Sequence, residues 1–218
     1  MARLVFDLDG TLVDSAPDLQ AVANRVLTGE GLAPITLGEA RDFIGQGTAV
    51  FVRKMRARHG IPESEQPRLL ASFMALYENA VEHTRPYPGA VEILSRLRES
   101  GHRLGLCTNK PLGPCMALLR HLEIDTCFDA ITAGDSLPVH KPDPAPLLRT
   151  LESMGEGPAF FIGDSEIDGE TASRAGIPFV FFTEGYSKVR MSALPYVATF
   201  SRYPHLPGLI DAMLRRVA

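Results

Sequence analysis

Leu4-Val5-Phe6-Asp7-Leu8-Asp9-Gly10-Thr11-Leu12-Val13-Asp14-Ser15 is the stretch whose reading decides the fold of this chain. Its opening apolar run is rich in β-formers and predicts a buried strand ending at Asp7. Asp7 and Asp9 then stand two residues apart where the strand must stop. Like charges so placed repel, and burial raises the pKa of either carboxyl unless a cation or hydrogen bonds compensate. The arrangement asks for a metal ion. Asp9-Gly10 would also suit a two-residue hairpin turn, but the chain after Ser15 has helical character, with Pro17 at a helix start.

The string DLDGTLVDS from Asp7 to Ser15 resembles the first motif of the haloacid dehalogenase superfamily of phosphohydrolases, whose pattern is Asp-x-Asp-Gly-Thr. Extended to DLDGTLVDSAPDL, it is similar to the phosphoglycolate phosphatase branch. The resemblance implies a nucleophilic Asp7 and an acid/base Asp9.

Beyond Ser15 the pattern is helical as far as about His83. Four segments are expected, Pro17 to Gly29, Leu37 to Ile44, Thr48 to His59 and Ser64 to Thr84, separated by Gly and Pro. In the last, Leu69, Leu70, Phe73, Leu76, Tyr77 and Val81 make an apolar stripe at helical spacing. Tyr87-Pro88-Gly89, with Pro86, marks the way back. Helix and strand then alternate. Strands are expected at Arg103 to Cys107, Ala130 to Ala133, Ala159 to Ile162 and Phe179 to Phe182, with helices at Ala90 to Glu99, Leu112 to Leu122, Pro144 to Met154 and Gly169 to Ala175. This is the rhythm of an α/β protein with a doubly wound parallel sheet, a Rossmann-like core. The helical block inserted after the first strand reads as a second module, which the resemblance makes a helical cap, with a core of residues 1–15 and 84–218 and a cap of 16–83.

Ligands of such sheets bind beyond the C-terminal strand ends, so the residues there belong together. Thr108-Asn109 offers a hydroxyl and an amide near a helix N-terminus, a pair that can hold phosphate oxygens. Lys141 stands in KPDPAPLL before the next helix, and Asp164 and Asp168 follow the fourth strand, four residues apart. Either acid would also serve as a helix N-cap. The resemblance makes Thr108 the second motif, Lys141 the third, and Asp164 with Asp168 the fourth. It departs at Ile167, where the branch usually carries Asn. PYPGAVEILSRLRESGHRLGLCTNKP and Thr183-Glu184-Gly185-Tyr186 extend the likeness over nearly the whole chain.

The implied chemistry is phosphate-ester hydrolysis. Hard oxygen ligands from Asp7, Asp9 and Asp164 suit Mg²⁺. Asp7 attacks phosphorus to give an aspartyl-phosphate, while Asp9 protonates the leaving alkoxide and then activates water. Thr108, Asn109 and Lys141 hold the phosphate oxygens, and Asp168 is a supporting acid. The presence of Asp9 favours phosphate over halide chemistry. The expected partner is a small phosphorylated metabolite, 2-phosphoglycolate first. Its carboxylate calls for a cap cation, with Arg53 as first candidate and Lys54 and Arg41 behind it. The alternatives are a phosphatase for another small phosphoester or nucleotide, a sugar-phosphate mutase, and a phosphate-accepting binding module.

Composition sets the outer bounds. The chain has 218 residues, 45% hydrophobic and 22% charged, as in ordinary globular proteins. A formal net charge of -4 provides no general basic surface, so nucleic acid is not an expected partner. Cys107, Cys115 and Cys127 lack zinc-type spacing, and six histidines form no metal-type cluster. No signal peptide and no membrane-length apolar run are visible. A cytoplasmic location with reduced thiols is expected.

Overall fold

The computed structural model describes residues 1–217. In chain order the elements are β1 (Arg3–Phe6), β2 (Val13–Asp14), α1 (Ala16–Gly29), α2 (Leu37–Phe43), α3 (Thr48–Arg58), α4 (Gln66–Tyr77), β3 (Arg85–Pro86), α5 (Ala90–Glu99) and β4 (Arg103–Cys107). There follow α6 (Leu112–His121), β5 (Ala130–Thr132), α7 (Ala145–Ser153), β6 (Ala159–Gly163), α8 (Glu166–Ala175), β7 (Phe179–Phe182), β8 (Tyr196–Phe200) and α9 (Leu206–Val217).

Six strands form one sheet in the order β5-β4-β1-β6-β7-β8. All its pairings are parallel. β1 lies inside, with Leu4 opposite Leu104 on one side and Phe160 on the other. Because successive side chains of a strand point to opposite faces, Leu4, Phe6, Phe160 and Ile162 pack with α5, α6 and α9, whereas Val5, Phe161 and Phe179 pack with α7 and α8. Helices cover both faces, which explains why the strands read as continuous apolar runs. The strand order reverses direction between β1 and β6. That is the topological switch point where doubly wound sheets hold their ligands.

Helices α1 to α4 lie between β2 and β3 and have a core of their own, in which Leu27, Val52, Met55, Leu69 and Phe73 are fully buried. The Phe73 ring lies 5.2 Å from Phe51 and 5.5 Å from Tyr77. At the base of this helical unit β2 and β3 pair antiparallel, Val13 opposite Pro86.

Three expectations need revision. The fourth helix was expected to run to Thr84 but ends at Tyr77. The cause is Asp18 on α1, whose carboxylate accepts the N–H groups of His83 and Thr84 at 3.0 and 2.7 Å and the Thr84 hydroxyl at 2.6 Å. Amides turned toward Asp18 are lost to a helical ladder, and Val81, read as part of the stripe, packs against the sheet-side core instead. Second, α8 starts at Glu166 rather than Gly169, because Ser165 and Asp168 make a capping box. Third, β8 and α9 lie beyond the last expected element. They matter to the site: Tyr203, between them, donates its hydroxyl to the Thr11 carbonyl at 2.6 Å and braces the loop after β1.

Candidate active site

Asp7 continues the line of β1, its N–H donating to the Ile162 carbonyl at 2.9 Å. Its carboxylate therefore emerges at the switch point, buried between β4 and β6. Lys141, itself buried, places Nζ 2.8 Å from Asp7 Oδ1 and 2.6 Å from Asp168 Oδ1. Lys141 follows no strand directly and is held from the side. Asn109 Nδ2 donates to the Lys141 carbonyl at 2.9 Å while its Oδ1 accepts the Lys141 N–H at 3.0 Å. The same amide nitrogen reaches the Gly45 carbonyl at 3.0 Å. The Asn109 amide, expected to hold phosphate, is thus engaged in fixing Lys141 and tying it to the loop after α2. Thr108 does face the cavity. Its Oγ1 accepts the Lys110 N–H at 3.1 Å, which leaves its own O–H for donation.

Asp164 directly follows β6 and is almost fully buried. Thr11 Oγ1 donates to one of its oxygens and the Tyr186 N–H to the other, both at 2.6 Å. Two glycines make room for it. A Cβ on Gly10, which has φ +87°, would lie 2.4 Å from Asp164 Oδ2, and one on Gly185 would lie 2.2 Å from Asp164 Cβ. Asp168 is fully buried between Lys141 and Ser165, whose hydroxyl donates at 2.6 Å. Ile167, the departure from the branch pattern, puts an aliphatic side chain on the cavity wall beside it.

Ligand oxygens of Asp7, Asp164 and Asp168 lie within 4.8 Å of one another. Burial pushes the Asp7 carboxyl up to about 7, with Lys141 pulling against it. Burial and the neighbouring Asp168 and Asp7 charges raise Asp164 well above the usual carboxylate range. Three carboxylates face one ammonium here, so full ionisation leaves two negative charges in excess. A divalent cation fits both this excess and the all-oxygen donor set.

The carboxylate of Asp9 lies outside this cluster. Lys110 Nζ is 3.2 Å from Asp9 Oδ1, donates to the Tyr77 hydroxyl from the end of α4, and sits 4.6 Å from the Tyr77 ring centre. Burial opposes the charge on Lys110, but Asp9 and the Tyr77 oxygen outweigh it and raise its pKa. Nothing in the sequence singles out Lys110. Its partner Tyr77 lies 33 residues away, and no local pattern joins the two.

The cavity above these groups measures about 150 Å³ and is walled on the helical side by Ile44, Gly45, Gln46, Gly47, Phe51, Lys54 and Tyr77. Arg53, the first candidate for a cap cation, is exposed and does not line it. Arg41 pairs with Asp14 at 2.9 Å on the surface. Lys54 does line the cavity, and so does Lys188 from the loop after β7, which the sequence reading did not single out.

Residues 4–182 match the family model of the haloacid dehalogenase-like hydrolases. The chain belongs to that family. This haloacid dehalogenase-like hydrolase is 45% identical over 217 residues to a phosphoglycolate phosphatase of Cereibacter sphaeroides, covering 98% of this chain and all of that one. With a phosphoglycolate phosphatase of Rhodobacter capsulatus it shares 42% identity over 95% of this chain and 96% of the other. Among solved structures, one described as a predicted phosphoglycolate phosphatase from Haemophilus somnus superposes with a TM-score of 0.87 at 30% identity, covering 95% and 96% of the two chains. The hydrolase is an enzyme of phosphatase type, and its sheet is the Rossmann-like core expected of the family. Among the described residues no helix is long and apolar enough to cross a membrane.

Proposed function

We propose that this hydrolase cleaves 2-phosphoglycolate to glycolate and phosphate with Mg²⁺ held at the acidic cluster. The observation that carries the reading is the convergence of Asp7, Lys141, Asp164 and Asp168 at the switch point of the sheet, beneath a cavity large enough for a small ester. Asp7 and Asp164 would hold the cation, with Asp168 fixing Lys141 beside them. The bound ion would offset the repulsion between a phosphate dianion and a carboxylate nucleophile. Phosphoryl transfer asks mainly for positioning and charge stabilisation, and this chain's groups serve those ends.

Asp7 attacks phosphorus in line, forming an aspartyl-phosphate as the ester P–O bond breaks. Asp9 gives its proton to the departing glycolate oxygen, and the resulting carboxylate takes a proton from the water that attacks the phosphoaspartate. Lys110 and Tyr77 fix the position of Asp9 for both steps. Thr108 O–H and the Lys141 ammonium bind phosphate oxygens, and Asn109 acts through Lys141. Residues 16–83 act as a cap that excludes bulk water from a core of residues 1–15 and 84–218. Three free cysteines, Cys107 and Cys115 among them buried, accord with a cytoplasmic setting.

The test is phosphate release by the purified protein from 2-phosphoglycolate, sugar phosphates and nucleotides, with and without Mg²⁺, alongside Asp7→Asn. Preference for 2-phosphoglycolate, abolished by chelator and at least a thousandfold lower in the variant on the order of covalent catalysis, is expected. Metal-dependent release from a different ester keeps the mechanism and changes the substrate. No release from any ester by folded protein overturns the phosphatase reading in favour of a mutase or a phosphate-accepting module.

A further inference from the structure

The mouth of the cavity carries two charges for which phosphoryl transfer has no use. Lys54 on α3 and Lys188 on the loop after β7 both line it. Lys54 Nζ donates to the Asp42 carbonyl at 3.0 Å and Lys188 Nζ to the Ile44 carbonyl at 2.7 Å, so both ammonium groups gather at the C-terminal end of α2. Exposed carbonyls at a helix end attract cations, which is how two like charges come to share one place. Their repulsion persists, since partial burial together with the Lys188 charge holds Lys54 below the ordinary lysine range. Glu166 lies beside them, its Oε2 accepting the Lys188 N–H at 3.3 Å. Asp42 also attracts Lys54, from outside the cavity; among the residues that line the mouth, one acid faces two ammonium groups, opposite the anionic floor.

We propose that Lys54 and Lys188 form a two-part subsite for a carboxylate on the leaving group. The inference rests on the phosphatase reading above and names what that reading leaves open, the groups that choose the alcohol. The phosphate is taken at the floor, between Lys141 and the acidic cluster, and the acid end of the alcohol is taken at the mouth. A carboxylate there accepts from one ammonium group supplied by the helical unit and another supplied by the sheet layer, and it removes their mutual repulsion. The substrate's own charge thus draws α3 toward the loop after β7. A neutral alcohol leaves the repulsion in place and is held less well. The class selected is the phosphate ester of a short hydroxy acid, in keeping with a cavity of about 150 Å³.

The experiment compares kcat/KM for 2-phosphoglycolate and for ethyl phosphate, which has the same carbon count and no carboxylate. It is run on the wild type, Lys54→Gln, Lys188→Gln, Lys188→Arg and Arg53→Gln. The ratio of the two constants is expected to fall about ten- to a hundredfold in each Gln variant, the worth of one charge-assisted hydrogen bond. Lys188→Arg should recover most of the ratio, and Arg53→Gln, one residue from Lys54 but outside the cavity, should keep it. Thermal unfolding of each variant close to that of the wild type confirms that the fold is intact. Hydrolysis of both esters at an unchanged ratio in the two Gln variants overturns the subsite and leaves the phosphatase standing. Release from neither ester by the wild type overturns the phosphatase, and the subsite with it.

Discussion

On the sheet side of the cavity, Asp7 and Asp164 sit at the ends of adjacent parallel strands, and their meeting follows from strand pairing alone. On the helical side, Arg53 and Lys54 are neighbours on α3, yet one is exposed and the other lines the cavity. The contrast is one of geometry. A parallel ladder brings strand ends into line, so a motif that marks a strand end also marks a place in space. A helix turns by about 100° per residue, and which residue faces a ligand depends on how the whole helix is packed. The sheet side is therefore rigid in register, and the helical side is set by docking.

The largest effect that would test this contrast is expected at Lys141. Lys141→Met leaves Asp7 and Asp168 buried without their shared cation, and breaking such a buried pairing costs about 3–5 kcal/mol. Urea unfolding in chelator should show that loss, with phosphate release reduced to background; a stability within error of the wild type would show that the acids are not held ionised by Lys141. Next in size is Gly10→Ala. The new methyl meets Asp164 at 2.4 Å on a backbone with φ +87°, and the strain should cost about 1–3 kcal/mol and weaken Mg²⁺ binding, read by titration calorimetry. Unchanged affinity would mean that the loop after β1 can shift without moving Asp164. The smallest effect is expected where the two walls touch. Tyr77→Phe removes the hydroxyl to which Lys110 donates while it pairs with Asp9, and kcat should fall about tenfold, near the worth of one hydrogen bond, with KM little changed. A rise in KM alone would assign Tyr77 to binding and not to the positioning of Asp9.

Particular residues show how far the sequence could be read. Asp7, Thr108, Lys141, Asp164 and Asp168 were all legible, because each lies in a short motif at a predicted strand or helix end, and the structure brings them around one cavity. The side-chain bonds of Asn109 were not legible, since they run to Lys141 and Gly45, whose proximity depends on the fold. The end of α4 was misplaced because Val81 continues the apolar period of the helix while Asp18, 65 residues before His83, claims the amides that a longer helix would need. Lys110 and Lys188 could not be singled out at all. A lone lysine in a turn is ordinary, and each acquires its place through a partner more than thirty residues away.

The sequence by itself determined the doubly wound sheet, the helical insertion after β1, and the motif acids and lysine that gather beyond the sheet. Apolar periodicity and strand-end motifs are local, and a parallel sheet turns that local order into a fixed spatial order. Tertiary structure alone decided that Asp9 pairs outside the acidic cluster with Lys110, itself bonded to Tyr77, that Lys54 and not Arg53 faces the cavity, and that Lys188 joins it there. Those outcomes depend on the angle at which the helices dock on the sheet, a quantity set by the summed packing of two cores and written in no single stretch of the chain.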